Sequence, residues 1–387
     1  MKNIFFIVSF LLIFSCNNPS HFSKSETPNI LLINVDDLGW KDLGFMGSQY
    51  YETPFLDEFA KQGIVFTNAY ASAANCAPSR ASLFSGLNTP RHGVYTVGSS
   101  ERGDKRTRKL IPTKNKKYIN DSIYTFPEML KSVGYINANF GKWHIGKDPK
   151  TQGIDHNIGG SNKGNPGKNG YFSPYNIDFI KSEKPGEYLT DRLTNEAVDF
   201  IIKNADSPFF ANLSFYSVHT PIQGKKSWIK NYTSKNGING QDNPEYAAMV
   251  SSVDENIGKI LKTLNDLKIA ENTLVIFTSD NGGIRSISNQ YPLKAGKGSY
   301  YEGGIRVPFV LRWPKKISAG VNSNNVSNLD IYPTIQDIVD PQKKALLLDG
   351  VSLKNQFKIT SKINRDLFFH FPIYLEAYNK LEDQGRD

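Results

Sequence analysis

The chain has 387 residues, with 46 lysines and arginines against 37 aspartates and glutamates, which gives a formal net charge of +9. A chain of this length can bury a sizeable core, either as one large α/β domain or as two smaller ones. The moderate positive excess is compatible with an acidic substrate, an anionic surface or nucleic acid, and it selects none of them. The only two cysteines are Cys16 and Cys76, so the composition excludes a disulfide framework.

The first residues have the pattern of an export signal. A short basic start precedes an apolar stretch, residues 4–14, that is too short to span a bilayer. Residues 13–16 are similar to a bacterial lipobox, in which Cys16 becomes the lipidated N-terminus. We therefore expect a signal peptide over residues 1–16 and a polar tether over residues 17–28. The protein would be an exported lipoprotein of the periplasm, the outer membrane or the cell surface, held to a membrane only through Cys16, with free secretion as the alternative.

The first predicted unit after the tether is a strand, a helix and a second strand. Residues 29–35 form a nearly continuous apolar run, which suits a strand buried on both faces of a parallel sheet. A Thr-Pro pair opens a predicted helix over residues 54–61, and residues 64–69 return as a strand. A crossover of this kind implies a parallel sheet with helices on its faces.

Cys76 is predicted to lie just before the N-terminus of the next helix. Pro78 suits a first helical turn, and Gly86 ends the helical stretch. Free backbone N–H groups at a helix N-terminus favour an anion, and Arg80, one turn onward, returns over the same spot. A buried cysteine that acts as a small hydrophobe is the alternative.

The remaining predicted elements continue the alternation of strands and helices. A capping box of Thr125 and Glu128 opens a helix that ends at Val133. Two stretches are predicted insertions on the core: residues 99–121, which are strongly basic, and residues 153–170, which are rich in glycine. Apolar periodicity predicts three further strands over residues 135–140, 208–218 and 273–278, and two further helices over residues 188–204 and 244–267.

Polar side chains follow four of the predicted strands at the point where each strand ends. In open α/β sheets ligands bind at the carboxyl ends of the strands, so the pattern indicates one site. A histidine taken alone is more often a hydrogen-bonded structural residue, and it is the shared position after strands that favours a functional role. The side chains are those of Asp36, Asp37, Lys142, His144, His219, Asp280 and Asn281.

The two adjacent carboxylates Asp36 and Asp37 repel each other unless a cation compensates them. Asp280 and Asn281 add a carboxylate and an amide oxygen, and no histidine or cysteine pair has zinc spacing. Such oxygen ligands favour a hard divalent ion, calcium or magnesium. The alternative is that both pairs only form turns after strands.

Residues 76–80, Cys-Ala-Pro-Ser-Arg, resemble the C-x-P-S-R signature of type I sulfatases of the alkaline phosphatase superfamily, in which the cysteine is oxidised to formylglycine. The resemblance extends from about residue 29 to about residue 314. Within the family, the chain resembles bacterial polysaccharide sulfatases. Its other matches, in family order, are Asp36-Asp37, Gly141-Lys142-Trp143-His144, His219, Asp280-Asn281-Gly282 and Gly296-Lys297-Gly298 with Glu302-Gly303-Gly304.

The resemblance implies an α/β fold, an alkaline-phosphatase-like sandwich in which helices flank a large, mixed, mostly parallel sheet. It implies a catalytic domain over residues 29–340 and a small C-terminal subdomain that begins at residues 341–387 and is incomplete. Residues 367–373 would be the first strand of that subdomain.

The resemblance also implies the roles of the site residues. Hydrated formylglycine at position 76 would be the nucleophile, held by Arg80 and Lys142, and His144 would take the proton of its second hydroxyl. His219 and Lys297 would bind the sulfate, with His219 protonating the departing alcohol. Calcium, with magnesium as the alternative, would be bound by Asp36, Asp37, Cys76, Asp280 and Asn281.

The expected function is hydrolysis of sulfate esters on a sulfated carbohydrate, of the ulvan, carrageenan or fucoidan type, after a maturation enzyme has modified Cys76. No nucleic acid partner is expected. One alternative is a phosphate or phosphonate ester hydrolase on the same fold, and another is a non-catalytic glycan-binding lipoprotein. Residues 102–117 carry eight basic residues against Asp104 alone. We hypothesise that they border the pocket and bind a polyanionic chain; a solvated face is the alternative.

Overall fold

The computed structural model describes residues 27–182, 184–340, 347–359 and 362–375. The predicted signal peptide and nearly all of the predicted tether lie outside these residues. Among the helices that are described, none is both long and apolar enough to cross a membrane.

The described residues are built around one mixed sheet of eight strands, in the order β5-β4-β6-β1-β7-β8-β2-β9. Strand β8 runs antiparallel to β7 and β2, and the other neighbours pair in parallel. The predicted fold class, α/β with a mostly parallel central sheet, is therefore confirmed. The strands are β1 (Asn29–Val35), β2 (Ile64–Phe66), β3 (Ala69–Tyr70), β4 (Ile136–Gly141), β5 (His156–Ile158), β6 (Phe209–Ser214), β7 (Thr273–Ser279), β8 (Phe309–Arg312), β9 (Gly320–Asn322) and β10 (Val326–Ser327), with β3 and β10 forming a separate pair.

Strand β1 lies in the middle of the sheet and is buried along its whole length. Leu31, Ile33 and Val35 contribute to the core on one face, and Ile30 and Leu32 contribute to the core on the other. A strand with helices on both faces needs apolar side chains at every position, and the nearly continuous apolar run of the sequence reflects that requirement.

Helices cover both faces of the sheet. Helices α1, α5, α6 and α7 contribute to one core, and α2, α4 and α9 contribute to the other. The helices are α1 (Pro54–Lys61), α2 (Cys76–Ser85), α3 (Thr89–His92), α4 (Phe126–Ser132), α5 (Leu189–Lys203), α6 (Lys226–Thr233), α7 (Pro244–Asp266), α8 (Glu302–Ile305) and α9 (Ile331–Val339).

The ends of two helices follow the predicted local signals. Glu128 accepts a hydrogen bond from the backbone N–H of Thr125 at 2.8 Å, which forms the predicted capping box of α4. Gly86 ends α2 in the left-handed conformation at φ 67°. The position of Cys76 is corrected by one residue: Asn75, with extended backbone, is the N-cap, and Cys76 is the first residue of α2.

Three predicted strands differ from the structure. The predicted strand 64–69 is divided into β2 and β3, because its first half pairs in the main sheet and its second half with β10. The predicted strand 208–218 stops at Ser214 as β6. Residues 367–373 were expected to form a strand and do not. The segment around them bonds instead to loops, as in the bond from the N–H of Thr113 to Pro372 O at 3.0 Å.

Candidate active site

The predicted site residues come together because the four strands that carry them are neighbours. In the sheet, β4, β6, β1 and β7 follow one another, so their carboxyl ends lie side by side at one edge. Helix α2 begins at the same edge. A ligand atom of each of Asp36, Cys76 and Asp280 lies within 4.8 Å of the other two. The sequence thus located both the edge and the side chains that meet there.

Two buried carboxylates of the site are each paired with a fully buried cation. The shortest N···O distances are 2.6 Å for Lys142 with Asp36 and 2.7 Å for Arg80 with Asp280. The side chains of both pairs are completely shielded from solvent. Removing either member of such a pair would leave an uncompensated buried charge, so each carboxylate holds its cation in place.

Arg80 has a further partner that the sequence analysis missed. Its Nη1 donates to Ser214 Oγ at 2.5 Å and to the carbonyl of Lys142 at 3.1 Å. Ser214 is the last residue of β6. The available signal was the position of this polar residue, at the carboxyl end of a strand.

Lys297 and His219 both approach Asp37. Lys297 Nζ lies 2.7 Å from Asp37 Oδ2, and His219 Nε2 lies 3.7 Å from the same oxygen. Burial lowers the pKa of His219 to about 4, although the charge of Asp37 opposes the shift. The neighbouring lysine, Lys294, instead has its Nζ 3.8 Å from the centre of the Tyr301 ring. The structure therefore places Lys297 in the site.

Close backbone contacts hold the loop that carries Lys297. The N–H of Gly298 donates to Ala74 O at 2.7 Å, which ties this loop to the segment before Cys76. A Cβ on Gly304 would lie 1.9 Å from Ser299 O, and one on Gly303 would lie 2.4 Å from Ala295 O. Glycine is required at these positions because backbone approaches backbone there.

His144 is held mainly by packing. Its backbone has a φ of 68°, and its N–H donates to Ser161 O at 2.8 Å. Burial, and next the charge of Lys142, hold the pKa of its imidazole well below the usual range, so the ring is neutral. Its Nδ1 has no hydrogen-bond partner among the described residues. Gly164, in the glycine-rich insertion, covers the ring: a Cβ there would lie 2.4 Å from Cε1 of His144.

The donors at the centre fit a hard divalent cation. Asp36 Oδ1 and Asn281 Oδ1 are buried and lack a hydrogen-bond partner in the part of the chain that the structure describes. Burial, and next the charge of Asp280, raise the pKa of Asp36 well above its usual range. A cation would relieve both conditions. Asp37 is engaged with Lys297 and with Asn281 Nδ2, which donates to it at 2.8 Å.

The unmodified thiol of Cys76 is a poor nucleophile in this position. Burial raises its pKa to about 12, in spite of the nearby charges of Lys142 and Lys297. A thiol with such a pKa is protonated at neutral pH, and it is the thiolate that attacks. The chemistry of the site therefore needs another form of residue 76 or another nucleophile.

The fold and the buried carboxylate and cation centre define the class of protein: an α/β ester hydrolase with an alkaline-phosphatase-like sheet. Comparison with known proteins narrows this class. The family model described as Sulfatase matches residues 28–341, and the chain belongs to the sulfatase family. It is a sulfuric ester hydrolase.

Curated relatives and solved structures agree with this family. A sulfatase of Formosa agariphila is 33% identical over 98% of this chain and 82% of its own. Human N-acetylgalactosamine-6-sulfatase is 32% identical over 89% of this chain and 68% of its own. The structure of Ps i-CgsB in complex with k-i-k-neocarrahexaose is 32% identical, with a TM-score of 0.71 over 86% of this chain and 76% of that one. A phosphonate monoester hydrolase of Agrobacterium radiobacter, 19% identical with a TM-score of 0.63 over 85% of this chain and 77% of that one, shares the fold.

Proposed function

We propose that the protein hydrolyses sulfate esters of a sulfated algal carbohydrate, of the carrageenan, fucoidan or ulvan type, with formylglycine at position 76 as the nucleophile. The observation that carries the proposal is the placement of Cys76 in the first turn of α2, among Asp36, Asp280, Arg80 and Lys142. One similar structure supports the class of substrate, the complex of Ps i-CgsB with k-i-k-neocarrahexaose.

The reaction would proceed in two transfers at residue 76. One hydroxyl of the hydrated aldehyde releases its proton to solvent and attacks the sulfur. The bond between sulfur and the sugar oxygen breaks, the sugar oxygen takes a proton, and the sulfate group stays on residue 76. The neutral imidazole of His144 then takes the proton of the remaining hydroxyl. The bond from residue 76 to the sulfate oxygen breaks, sulfate leaves, and the aldehyde forms again. Water enters only when the aldehyde is rehydrated.

Charged side chains orient the reacting groups. Arg80 and Lys142 are fixed by their buried carboxylates, so their positive charges stay close to residue 76. Lys297, which is paired with Asp37 and partly exposed, would bind a sulfate oxygen. His219 would protonate the departing sugar oxygen.

A divalent ion, calcium or magnesium, would be held by Asp36, Asp37, Asp280, Asn281 and residue 76. When bound, it would polarise the sulfate and lower the pKa of the attacking hydroxyl. The orphaned oxygens of Asp36 and Asn281 support this ligand set.

We also propose that the protein is exported and carries a lipid on Cys16, and that a formylglycine-generating enzyme modifies Cys76. The support is the signal and lipobox pattern of residues 1–16 and the signature of residues 76–80. Both segments are short, so each proposal can be examined by mass spectrometry of the mature protein.

The test of the proposed function is maturation followed by turnover. After co-expression with a maturation enzyme, the tryptic peptide that ends at Arg80 should contain formylglycine by mass spectrometry. That protein should release sulfate from 4-nitrophenyl sulfate and from sulfated oligosaccharides. Cys76→Ala should lose at least about a thousandfold in kcat, because the nucleophile and one of the proposed metal ligands are removed.

The same assays separate the competing functions. Faster release of phosphate than of sulfate from matched 4-nitrophenyl esters would favour a phosphate or phosphonate ester hydrolase. Oligosaccharide binding without turnover of either ester, by protein shown to carry formylglycine, would favour a non-catalytic glycan-binding protein. Unmodified cysteine after co-expression with a competent maturation enzyme would contradict the formylglycine mechanism.

A further inference from the structure

The basic insertion, residues 99–121, uses its charges in two different ways. Arg106 binds Asp104 through Nε at 2.8 Å and Nη2 at 2.5 Å. Arg108 binds the carboxylate and the carbonyl of Glu101 and the carbonyl of Gly103. These two guanidinium groups hold the loop itself together. The basic run is therefore not a uniform polyanion-binding surface.

Arg102 differs from these two arginines, because its hydrogen bonds connect it through Thr96 to Asn75, the residue before Cys76. Its Nη2 donates to Thr96 Oγ1 at 3.0 Å, and the same oxygen accepts from Asn75 Nδ2 at 3.3 Å. Asn75 is the N-cap of α2, directly before Cys76. Thr96 is only 1% exposed and Asn75 only 6%. Two hydrogen bonds thus connect a partly exposed arginine to the residue beside the reacting group.

Two polar atoms of this chain of contacts are buried and lack a partner among the described residues: Asn75 Oδ1 and Arg102 Nε. Nε and Nη2 form one edge of a guanidinium, the edge that binds carboxylate or sulfate through two oxygens. Asn75 Oδ1 can accept from a hydroxyl. An acidic group and a hydroxyl on one sugar would satisfy both.

Neighbouring segments fix the geometry of these three residues. Asn115 Oδ1 accepts from the backbone N–H of Thr96 at 3.2 Å, and its Nδ2 donates to Thr96 O at 2.9 Å. The backbone N–H of Arg102 donates to Tyr374 O at 3.3 Å. Rigidly held groups lose little conformational entropy on binding a ligand, as expected of a preformed subsite.

We propose that Asn75, Thr96 and Arg102 form a subsite that binds a second acidic group of the substrate, a sulfate or a carboxylate, on the sugar that carries the scissile ester or on the next sugar. This deepens the proposed function and rests on it. The natural substrate would then carry at least two negative charges close together. Lys105 and Lys109, which are exposed on the same loop, would add only long-range attraction.

Competition against a small reporter substrate tests the subsite. The assay would measure how strongly oligosaccharides of ι-carrageenan, fucoidan and chondroitin sulfate inhibit the turnover of 4-nitrophenyl sulfate by the matured, metal-loaded enzyme. For the strongest inhibitor, Arg102→Gln should raise Ki about tenfold, because a charge-assisted hydrogen bond is lost. This increase should exceed any change in kcat/KM for the reporter. Arg102→Lys keeps the charge and loses the two-point edge, so it should give an intermediate Ki.

Arg106→Gln is the matched control. It removes the same charge from the same loop, from a side chain that is 85% exposed and already bound to Asp104. Its Ki should change less than about twofold at physiological salt, where exposed charges are screened. The unfolding temperature of each variant shows that it is folded; if Arg102→Gln is not, Arg102→Lys supplies the comparison.

The outcomes distinguish the subsite from the function. Equal Ki values for the variants of Arg102 and Arg106 would overturn the subsite, and so would a failure of every oligosaccharide to compete while the reporter is turned over. A matured enzyme that releases no sulfate from either kind of ester would overturn the proposed function itself. A tenfold rise in Ki confined to the Arg102 variants would support the subsite.

Discussion

In the proposed mechanism, the protonation of His219 decides whether the departing alcohol can receive a proton. Burial lowers its pKa to about 4, so the ring is neutral at pH 7 in the free site. A general acid must carry a proton when it acts. The negative charge of a bound sulfate ester favours the protonated ring, as Asp37 already does. The substrate would thus help to prepare its own proton donor.

We predict that the loss of activity caused by His219→Ala depends strongly on the leaving group. Release of sulfate from a sugar, whose alkoxide is a poor leaving group, should fall about 100-fold or more, the usual worth of general acid catalysis. Turnover of 4-nitrophenyl sulfate should fall far less, because nitrophenolate leaves without a proton. In the parent enzyme, kcat/KM for the sugar sulfate should decrease as pH rises through the pKa of this ring, and His219→Ala should lose that dependence.

His156→Ala is the control for this prediction. His156 is exposed on β5, at the far edge of the sheet, and lies against the ring of Phe200. Its replacement should leave the turnover of both substrates and the pH profile of kcat/KM unchanged. If His219→Ala lost the same factor in turnover of sugar and aryl sulfates, His219 would not be the general acid. Its role would then be limited to binding sulfate.

At the scale of single residues, the sequence predicted which side chains lie together at the site. It did not predict the loop residues that pack around them. Asp36 and Asp280 follow strands directly, so their positions can be read from the local pattern. His219 lies in the loop after β6, which ends at Ser214, and the predicted strand that reached it was too long. Gly164 and Thr96 lie in loops, and their places against His144 and Asn75 depend on how insertions fold back on the core. No periodicity records such contacts.

At the scale of elements, α1 receives its N-terminal cap from another helix. Asp254, on α7, accepts hydrogen bonds from the N–H of Phe55 at 3.2 Å and of Leu56 at 2.7 Å. Burial raises the pKa of Asp254 to about 7, although these two bonds lower it. The residue that local sequence suggests as a cap, Thr53, donates its hydroxyl to Asp57 instead. The helix was predicted correctly, but its cap is 198 residues away and has no local signal.

The raised pKa of Asp254 predicts that the free energy of unfolding decreases as pH rises. Between the unfolded pKa of about 3.9 and the folded pKa of about 7, the folded chain keeps a proton on Asp254 that the unfolded chain has released. This contribution is complete below about pH 4 and is lost as pH rises through 7. Relative to Asp254→Asn, which keeps an oxygen acceptor and cannot ionise, the parent should lose on the order of 2 kcal/mol between pH 5 and pH 8.

Urea unfolding of both proteins at the two pH values measures this difference. Glu255→Gln, one residue along α7 on an exposed side chain, is the control for removing an acid from the helix. A difference between the parent and Asp254→Asn that stays constant with pH would show that the carboxyl is already ionised in the folded protein.

For the whole molecule, the sheet joins residues that are far apart in sequence around one charged centre. The pairing of β1 with β7 brings Asp36 and Asp37 to Asp280. The apolar patterns identified the strands, whereas the order in which they pair, with β8 reversed beside β7, is set by packing across the whole chain. That order decides which strand ends form the site.

Because the buried carboxylates lie where the strands converge, metal removal should weaken the whole fold. An ion that binds only the folded state at a free concentration 100 times its Kd adds about 3 kcal/mol to the free energy of unfolding. Chelation should therefore lower the unfolding temperature and abolish turnover, and calcium or magnesium should restore both. Asp37→Ala should lose the ion in elemental analysis, whereas Asp349→Ala, at the partly exposed ion pair with Arg91, should retain it.

Active protein that contains no divalent metal, or full activity after exhaustive chelation, would contradict the metal site. A lower unfolding temperature that no added ion restores would point instead to irreversible damage by the chelator. The comparison therefore needs all three measurements on the same preparation.

The burial of Cys76 also has a consequence in time. The residue is 2% exposed, and every residue of α2 is buried. The proposed maturation enzyme would therefore need to modify this thiol before β7, which is synthesised much later, closes the sheet beside β1. Maturation and folding are then competitors for the same stretch of chain. The fraction of active molecules in a cell would be set by which of the two is faster, and a chain that folds first would stay inactive for its lifetime.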